Sequence, residues 1–416
     1  MNIGDLVDAG YAEIKTGPFG TQLRASDYVD AGRAVLNVRN VGFGDVRPKD
    51  LEFVDEATAS RLSSHLLKPN DIVFGRKGAV ERHAFINEKY DGAMQGSDCI
   101  RLRISDDSPV PARFLTFVLR TKQHQAWMQA FCSHGATMAS LNQGIVRQIP
   151  LPEIDQAGQD LAVAVLQNID DLIENNRRRI EVLEEMSRAV YREWFVKFRY
   201  PGHGDVPMVE SALGPIPEGW GVTSLSAIAD ITTGQSPKSE FYNDAGIGKP
   251  FHQGVADFGS HFPSTRKWCS VEGRSAFDGD ILVSVRAPVG RINIANTDIT
   301  IGRGLAGLRA KDGRQGLLLG HLREAFAEED SMGNDGAIFK SLSKTELSSV
   351  AVLVPPSDFA DAANEILTDN LTMIRGLAQT TRQLSDIRDL LLPKLVTGQI
   401  DLSALDLDVL LVEEVA

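Results

Sequence analysis

Gln156 to Lys197 reads QAGQDLAVAVLQNIDDLIENNRRRIEVLEEMSRAVYREWFVK. Its apolar residues Ile169, Ile173, Ile180, Leu183, Val190 and Trp194 are spaced by three, four and seven, with Leu172 and Met186 beside them. Such spacing predicts one helix with a single narrow apolar stripe. No proline interrupts about 42 residues, so the helix would be about 60 Å long at 1.5 Å per residue. A stripe that narrow on a helix that long requires a second helix to cover it.

Further along, residues 358–397 read DFADAANEILTDNLTMIRGLAQTTRQLSDIRDLLLPKLVT, and an offset of 201 places Leu183 on Leu384, Met186 on Ile387 and Trp194 on Leu395. This is the expected partner, and Ile374, Leu384, Ile387, Leu391 and Leu395 are its predicted packing residues. Gly376 and Thr381 are poor helix or stripe residues, so the two helices need not be equally stable.

The regions before the two helices repeat as well. Ile14-Lys15-Thr16-Gly17 is echoed by Ile231-Thr232-Thr233-Gly234. Asp71-Ile72-Val73-Phe74-Gly75-Arg76-Lys77 is echoed by Asp280-Ile281-Leu282-Val283-Ser284-Val285-Arg286 at an offset of 209, which also pairs Arg82 with Arg291. Gly135-Ala136 and Ser140-Leu141 match Gly336-Ala337 and Ser341-Leu342 at 201. Ala34–Val38 and Ile72–Phe74 read as strands, Ile100–Ile104 alternates like a half-buried strand, and Phe114–Phe131 has helical spacing. The predicted fold class is α/β: two tandem α/β domains separated by two long helices that form an antiparallel coiled coil with pseudo-twofold symmetry. The expected divisions are a first domain at 1–155, a central helix at 156–200, a linker at 201–221 rich in Pro and Gly, a second domain at 222–356, a C-terminal helix at 357–400 and an acidic tail at 401–416.

Composition narrows the function. The chain has 416 residues, 43% hydrophobic and 24% charged, and no run of apolar residues long enough for a membrane span, so a cytosolic protein is expected. Three isolated cysteines and eight scattered histidines offer neither a disulfide framework nor a metal site. No P-loop, nucleophile elbow or kinase signature is present. Gly42-Phe43-Gly44-Asp45 reads as a turn, and Pro355-Pro356 as a connector. The net charge of −13 divides as −1 over residues 1–155, −3 over 156–210, −2 over 211–355 and −7 over 356–416. The acidic excess therefore belongs to the helical parts, and each globular part can still gather a basic face.

The loops supply the remaining chemistry. In the first half they carry Thr16, Thr21, Gln22, Arg24, Arg39, Asn40, Arg76, Lys77, Arg82, Gln95, Ser97, His134, Thr137, Asn142 and Gln143. In the second they carry Thr233, Gln235, Ser236, Lys238, His252, Gln253, Arg266, Lys267, Arg286, Arg291, Arg303, Lys340 and Lys344. These residue types read base edges and anchor on phosphates, and both halves place Arg or Lys just after the same strand. The competing reading is a coiled-coil scaffold or peptide-binding adaptor with duplicated protein-binding domains. Placement of Arg76, Lys77, Arg286 and Arg291 discriminates between the two.

The chain resembles the specificity subunit of type I restriction-modification systems along essentially its whole length. The resemblance is carried by Thr16-Gly17-Pro18-Phe19-Gly20-Thr21-Gln22-Leu23 with Ser26-Asp27-Tyr28, and by Asp71-Ile72-Val73-Phe74-Gly75-Arg76-Lys77-Gly78. In the helices it is carried by Ile169-Asp170-Asp171-Leu172-Ile173-Glu174-Asn175-Asn176-Arg177-Arg178 with Trp194-Phe195-Val196, and by Leu391-Leu392-Pro393-Lys394-Leu395-Val396-Thr397-Gly398. It implies two target recognition domains reading a bipartite asymmetric site on double-stranded DNA, with the helices as a ruler and no catalytic residue or metal in this chain. It further implies partners: two methylation subunits that bind S-adenosylmethionine, and restriction/translocase subunits that use ATP and Mg.

Overall fold

The structure, a computed structural model, describes residues 1–132, 139–204, 206–326 and 341–400. The expected long helices form: a central helix Gln156–Tyr191, continued by a π-helical turn Arg192–Val196, and a C-terminal helix Ser357–Val396. Pro393 lies in the last turns of the latter, and Gly398 ends it at φ +67°, a backbone conformation that glycine adopts without penalty. Contacts divide the chain into one unit of Met1–Ile173 with the chain from Arg382, and a second of Glu174–Thr381. Each long helix thus contributes a segment to both units.

The first unit contains β1 (Ala12–Thr16), β2 (Tyr28–Val29), β3 (Arg33–Leu36), β4 (Glu52–Val54), β5 (Ile72–Gly75), β6 (His83–Phe85), β7 (Met94–Gln95) and β8 (Cys99–Ile104). They form two four-stranded sheets, ordered β1-β8-β5-β6 and β2-β4-β3-β7. β8 was expected to be half exposed, but it lies between β1 and β5 and is buried almost throughout. Its Arg101 is buried, with Nη1 donating to the Ser64 carbonyl at 3.2 Å and Nη2 to Glu13 at 2.9 Å, while Nε is left without a partner. The stretch with helical spacing at 114–131 resolves into two helices, Ala112–Leu119 and Lys122–Cys132, with a break at Arg120 and Thr121. Phe114, Leu115 and Phe117 pack on the first sheet, together with Ala162 and Leu166 of the central helix and Leu392, Leu395 and Val396 of the C-terminal helix.

The second unit begins with a hairpin, β9 (Met208–Ser211) and β10 (Gly214–Pro217), inside the stretch expected to be linker. β11 (Gly221–Ser224) follows, then β12 (Ala229–Thr233), β13 (Tyr242–Asn243), β14 (Lys249–His252), β15 (Trp268–Cys269), β16 (Ser275–Ala276), β17 (Ile281–Ser284), β18 (Ile292–Ile294), β19 (Ile299–Ile301), β20 (Leu305–Ala310) and β21 (Ala351–Val354). The main sheet is β12-β20-β17-β18, the counterpart of β1-β8-β5-β6, and the other is β13-β15-β14-β19-β16, which repeats β2-β4-β3-β7 and adds one strand. The repeat extends to ion pairs. Asp71 before β5 holds Arg103 at 2.7 Å, and Asp280 before β17 holds Arg309 at 2.5 Å, both carboxylates being buried.

Within each unit the long helices pair antiparallel. In the second, Ile180 and Leu183 share a core with Ile374, Ser187 accepts a hydrogen bond from Asn370 at 3.1 Å, and Tyr191 and Phe195 share a cluster with Ala360, Ala363 and Leu367. Of the predicted stripe, Ile169, Ile173, Ile180, Leu183, Ile374 and Leu395 are buried, and Val190, Trp194, Leu384 and Leu391 half-buried. Ile387 corrects the expectation at 47% exposed. Counting back from Leu395 in sevens gives Arg388, Thr381 and Ile374, so Ile387 is turned about 100° off the stripe. Arg388 occupies that place because Asp170 faces it at 3.2 Å. Trp194-Phe195-Val196 seals the helix end: Phe195 is fully buried between Tyr191, stacked at 4.8 Å, and Trp220 and Phe359, while Val196 stays exposed.

Candidate nucleic-acid interface

Both units present a loop joining two antiparallel strands of the main sheet, β5 to β6 and β17 to β18. Because the strands are antiparallel, the first and last loop residues emerge at the same sheet end. That end carries Arg76, Lys77 and Arg82 in the first unit, and Arg286 and Arg291 in the second. Each loop is pinned by the segment before a short helix. Leu141 donates to the Arg76 carbonyl at 2.8 Å, Leu342 to the Val285 carbonyl at 2.9 Å, and Lys77–Ser140 and Arg286–Ser341 form isolated antiparallel bridges. Asn142 and Ser343 then cap the helices Gln143–Gln148 and Lys344–Ser349, accepting from Ile145 N at 3.0 Å and Glu346 N at 3.2 Å. This is the pairing expected at an offset of 201.

A second element meets this end through the Thr-Gly repeat. Gly17 donates to the Cys99 carbonyl and Gly234 to the Leu305 carbonyl, each at 2.9 Å. A Cβ at either position would lie 2.0 Å from the Gly96 oxygen or 2.2 Å from the Gly302 oxygen, so only glycine lets the chain leave β1 and β12 this close to the sheet. Thr16 accepts from Gln143 Nε2 at 2.8 Å, which joins the end of β1 to the capped helix. Phe19, two residues past Gly17, is 56% exposed with the Arg76 guanidinium 5.3 Å above its ring. Phe43, 38% exposed, carries Arg82 at 5.4 Å and Arg47 at 5.9 Å. The Nε atoms of Arg76 and Arg82 are buried without a hydrogen-bond partner, and among the described residues neither side chain forms an ion pair. The rings therefore hold two guanidiniums whose outer donors remain uncommitted.

In the second unit the corresponding surface is polar. Ser236, two residues past Gly234, accepts from Gln253 Nε2 and from the Arg303 backbone, each at 3.2 Å. Gln235, Lys238, Arg286, Arg303 and Lys344 are exposed, and Lys238 lies 3.8 Å from Glu240.

The remaining expected residues divide by environment. Thr21, Gln22 and Arg24 are exposed in the loop after Phe19; Gln22 accepts from Phe19 N, and Arg24 donates to the Thr21 carbonyl. Arg39 is engaged with Glu52 at 2.7 Å, and Lys77 lies 3.5 Å from Asp98. Thr233 ends β12, half-buried. Three residues leave the surface, the first being Gln95, fully buried with Nε2 donating to the carbonyls of Lys15 at 2.9 Å and Cys99 at 3.1 Å. Asn40 is fully buried, donating to the carbonyls of Arg47 and Lys49 at 3.0 Å and accepting from Asn37 N at 3.1 Å, so it braces its loop. His252 is equally buried near Thr265 Oγ1 at 3.5 Å, and burial pushes its pKa down against the pull of Asp257. His134, Thr137 and Lys340 lie outside the described residues. Sequence reasoning missed Phe43 and Arg47; the available signal was a phenylalanine between two glycines in a turn that the structure forms, with Phe43 N donating to Asp45 at 2.9 Å.

Among the described residues no group of side chains fits a metal ion, and no helix is long and apolar enough to cross a membrane. No protein-family model matches the chain. It is 26% identical over 377 residues to the putative type I restriction enzyme MjaX specificity subunit of Methanocaldococcus jannaschii, covering 89% of this chain and 87% of that protein. The type I restriction enzyme MjaIX specificity subunit of the same organism is 26% identical over 134 residues, covering 32% of this chain and 31% of that one. The solved structure of a type I restriction-modification system S subunit from M. genitalium has the same fold, with a TM-score of 0.62 over 95% of both chains at 15% identity.

Proposed function

We propose that this chain, a homologue of type I restriction-modification specificity subunits, reads a bipartite asymmetric site on double-stranded DNA, one half with each repeated unit. Its task is recognition rather than catalysis. The observation that carries this reading is the twice-built loop end. The same strands, the same carbonyl tether and the same capped helix present Lys77 and Arg82 in one unit at the places of Arg286 and Arg291 in the other, while neighbouring side chains differ, Arg76 standing where the second unit has Val285. A constant frame with variable polar side chains is what reading two different base sequences requires. A peptide-binding adaptor has no comparable use for Arg76 and Arg82, two arginines held by aromatic rings without carboxylate partners among the described residues.

In this reading residues 1–155 and 222–356 are the recognition domains. Helices of 36 and 40 residues, about 54 and 60 Å long at 1.5 Å per residue, serve as the ruler across more than one DNA turn of about 34 Å. The helices hold two methylation subunits, which supply S-adenosylmethionine chemistry, and the assembly takes up restriction/translocase subunits that use ATP and Mg, all in the cytoplasm.

The test is methylation mapping in a host that carries the chain with its methylation subunits. A bipartite motif is expected, of which one half changes when residues 1–155 are exchanged for those of a relative. Methylation by the isolated chain, or a single continuous motif, would sink the reading. Arg76→Ala or Arg286→Ala should weaken site binding by about 1 to 3 kcal/mol, the worth of a bidentate base contact, at matched salt.

A further inference from the structure

The two units share a backbone frame but differ in what the frame exposes, and the difference is chemically specific. Gly17 and Gly234 make the same hydrogen bond to the sheet, and two residues on stand Phe19 and Ser236. Gly42 donates to the Asp45 carbonyl at 3.0 Å and Gly259 to the Phe262 carbonyl at 3.2 Å, closing equivalent turns after the short helices Val38–Asn40 and Val255–Asp257. The residues that follow are Phe43 and Ser260. Two exposed aromatic rings in the first unit are thus replaced by two serines in the second.

We infer that the first unit recognises thymine in its half-site through Phe19 and Phe43, and that the second unit does not. This rests on the DNA-reading function proposed above and names what one unit reads. In the major groove the only apolar group that distinguishes one base from another is the thymine 5-methyl, and a phenyl ring is a suitable surface for it. The alternative use of an exposed phenylalanine is a wedge driven between base pairs from the minor groove. That use needs both faces of the ring, whereas Phe19 has the Arg76 guanidinium above it, and Phe43 has those of Arg82 and Arg47. The same stacking fixes the arginines, whose outer donors suit guanine O6 and N7 beside the thymine. In the second unit Ser236 is tied to Gln253 and Arg303, a polar arrangement suited to hydrogen-bond reading with no methyl contact.

The experiment uses the chain assembled with its methylation subunits and a duplex carrying the mapped site, with each thymine replaced in turn by deoxyuridine. At least one replacement in the half-site that follows residues 1–155 in the domain exchange should weaken binding about four-fold, the burial of one methyl group. Replacements in the other half should leave binding unchanged. Phe19→Ser and Phe43→Ser, which install the second unit's residues at exposed positions, should each lower affinity for the thymine duplex. One of them should also abolish discrimination between thymine and deoxyuridine. A first half-site without thymine, or one indifferent to deoxyuridine, overturns the inference while leaving site-specific binding intact. Loss of all site specificity in the unmodified assembly overturns the functional reading and this one together.

Discussion

Asp170→Ala should destabilise the first unit by about 3 kcal/mol. Asp170, on the central helix, accepts from Arg120 Nη1 at 2.5 Å and Nη2 at 3.3 Å, and from Arg388 Nη1 of the C-terminal helix at 3.2 Å. The three side chains are 19%, 14% and 19% exposed, so little solvent screens them. Breaking a buried pair by removing one partner costs about 3 to 5 kcal/mol, because the other charge is left desolvated. Here Arg388 retains Asp389 at 2.8 Å, and only Arg120 is stranded, which places the cost at the low end. Arg388→Ala leaves Asp170 paired with Arg120 and should cost only about 1 kcal/mol, that of one hydrogen bond. The pH dependence follows from Asp170 itself. Burial pulls its pKa up, but Arg120 and Arg388 outweigh burial and hold it below the ordinary value of 3.8. The stabilisation is fully present above 3.8 and lost as pH falls through the depressed folded value, so the cost should be constant from neutral to mildly acid pH. Urea unfolding followed by circular dichroism measures both variants. Equal costs for the two, or a cost for Asp170→Ala that fades near neutral pH, would refute the reasoning.

Gly376→Ala in the C-terminal helix should raise stability by about 1 kcal/mol in the same unfolding assay, since a methyl there meets nothing within 4 Å and alanine is the better helix former. Gly17→Ala and Gly234→Ala should each lower DNA affinity more than Gly376→Ala does in a binding titration, because the added carbon forces the loop away from a backbone oxygen. Cys99, Cys132 and Cys269 are free and buried, and burial pushes the first thiol up to about 12 and the second up to about 11. Iodoacetamide at neutral pH should label none of them in the native chain and all of them in guanidinium chloride, as read by mass spectrometry.

The long helices and the repeat were legible because both are carried by periodicity, in which each residue reports its own face. The small sheets were not: β2, β7 and β13 have two residues each, too few to show alternation, and they exist only through distant partners. Candidate interface residues were chosen by type, and type does not reveal whether a polar group spends its hydrogen bonds inward. Asn40 does so on two carbonyls, and a sequence cannot distinguish it from exposed Gln22. Phe43 shows the converse, since apolar residues are expected inside and this one stands outside beneath two arginines.

The net charge of −13 and a DNA-reading surface are compatible once the arginines are separated by partner. In the first unit Arg33, Arg39, Arg61, Arg101, Arg103, Arg120 and Arg147 are each neutralised by a carboxylate within hydrogen-bond distance, so they serve the fold. Arg76 and Arg82 are instead held by aromatic rings, which fix a guanidinium without consuming its charge. At physiological salt a charge is screened beyond about 8 Å, so acidic segments farther than that from the bound phosphates do little to repel them, while cations in contact retain their full effect. Net charge still governs long-range encounter. An acidic chain with a few fixed contact cations should therefore discriminate sequences by its own side chains, yet draw much of its non-specific affinity, and the steep salt dependence that comes with it, from the basic surfaces of the subunits it carries.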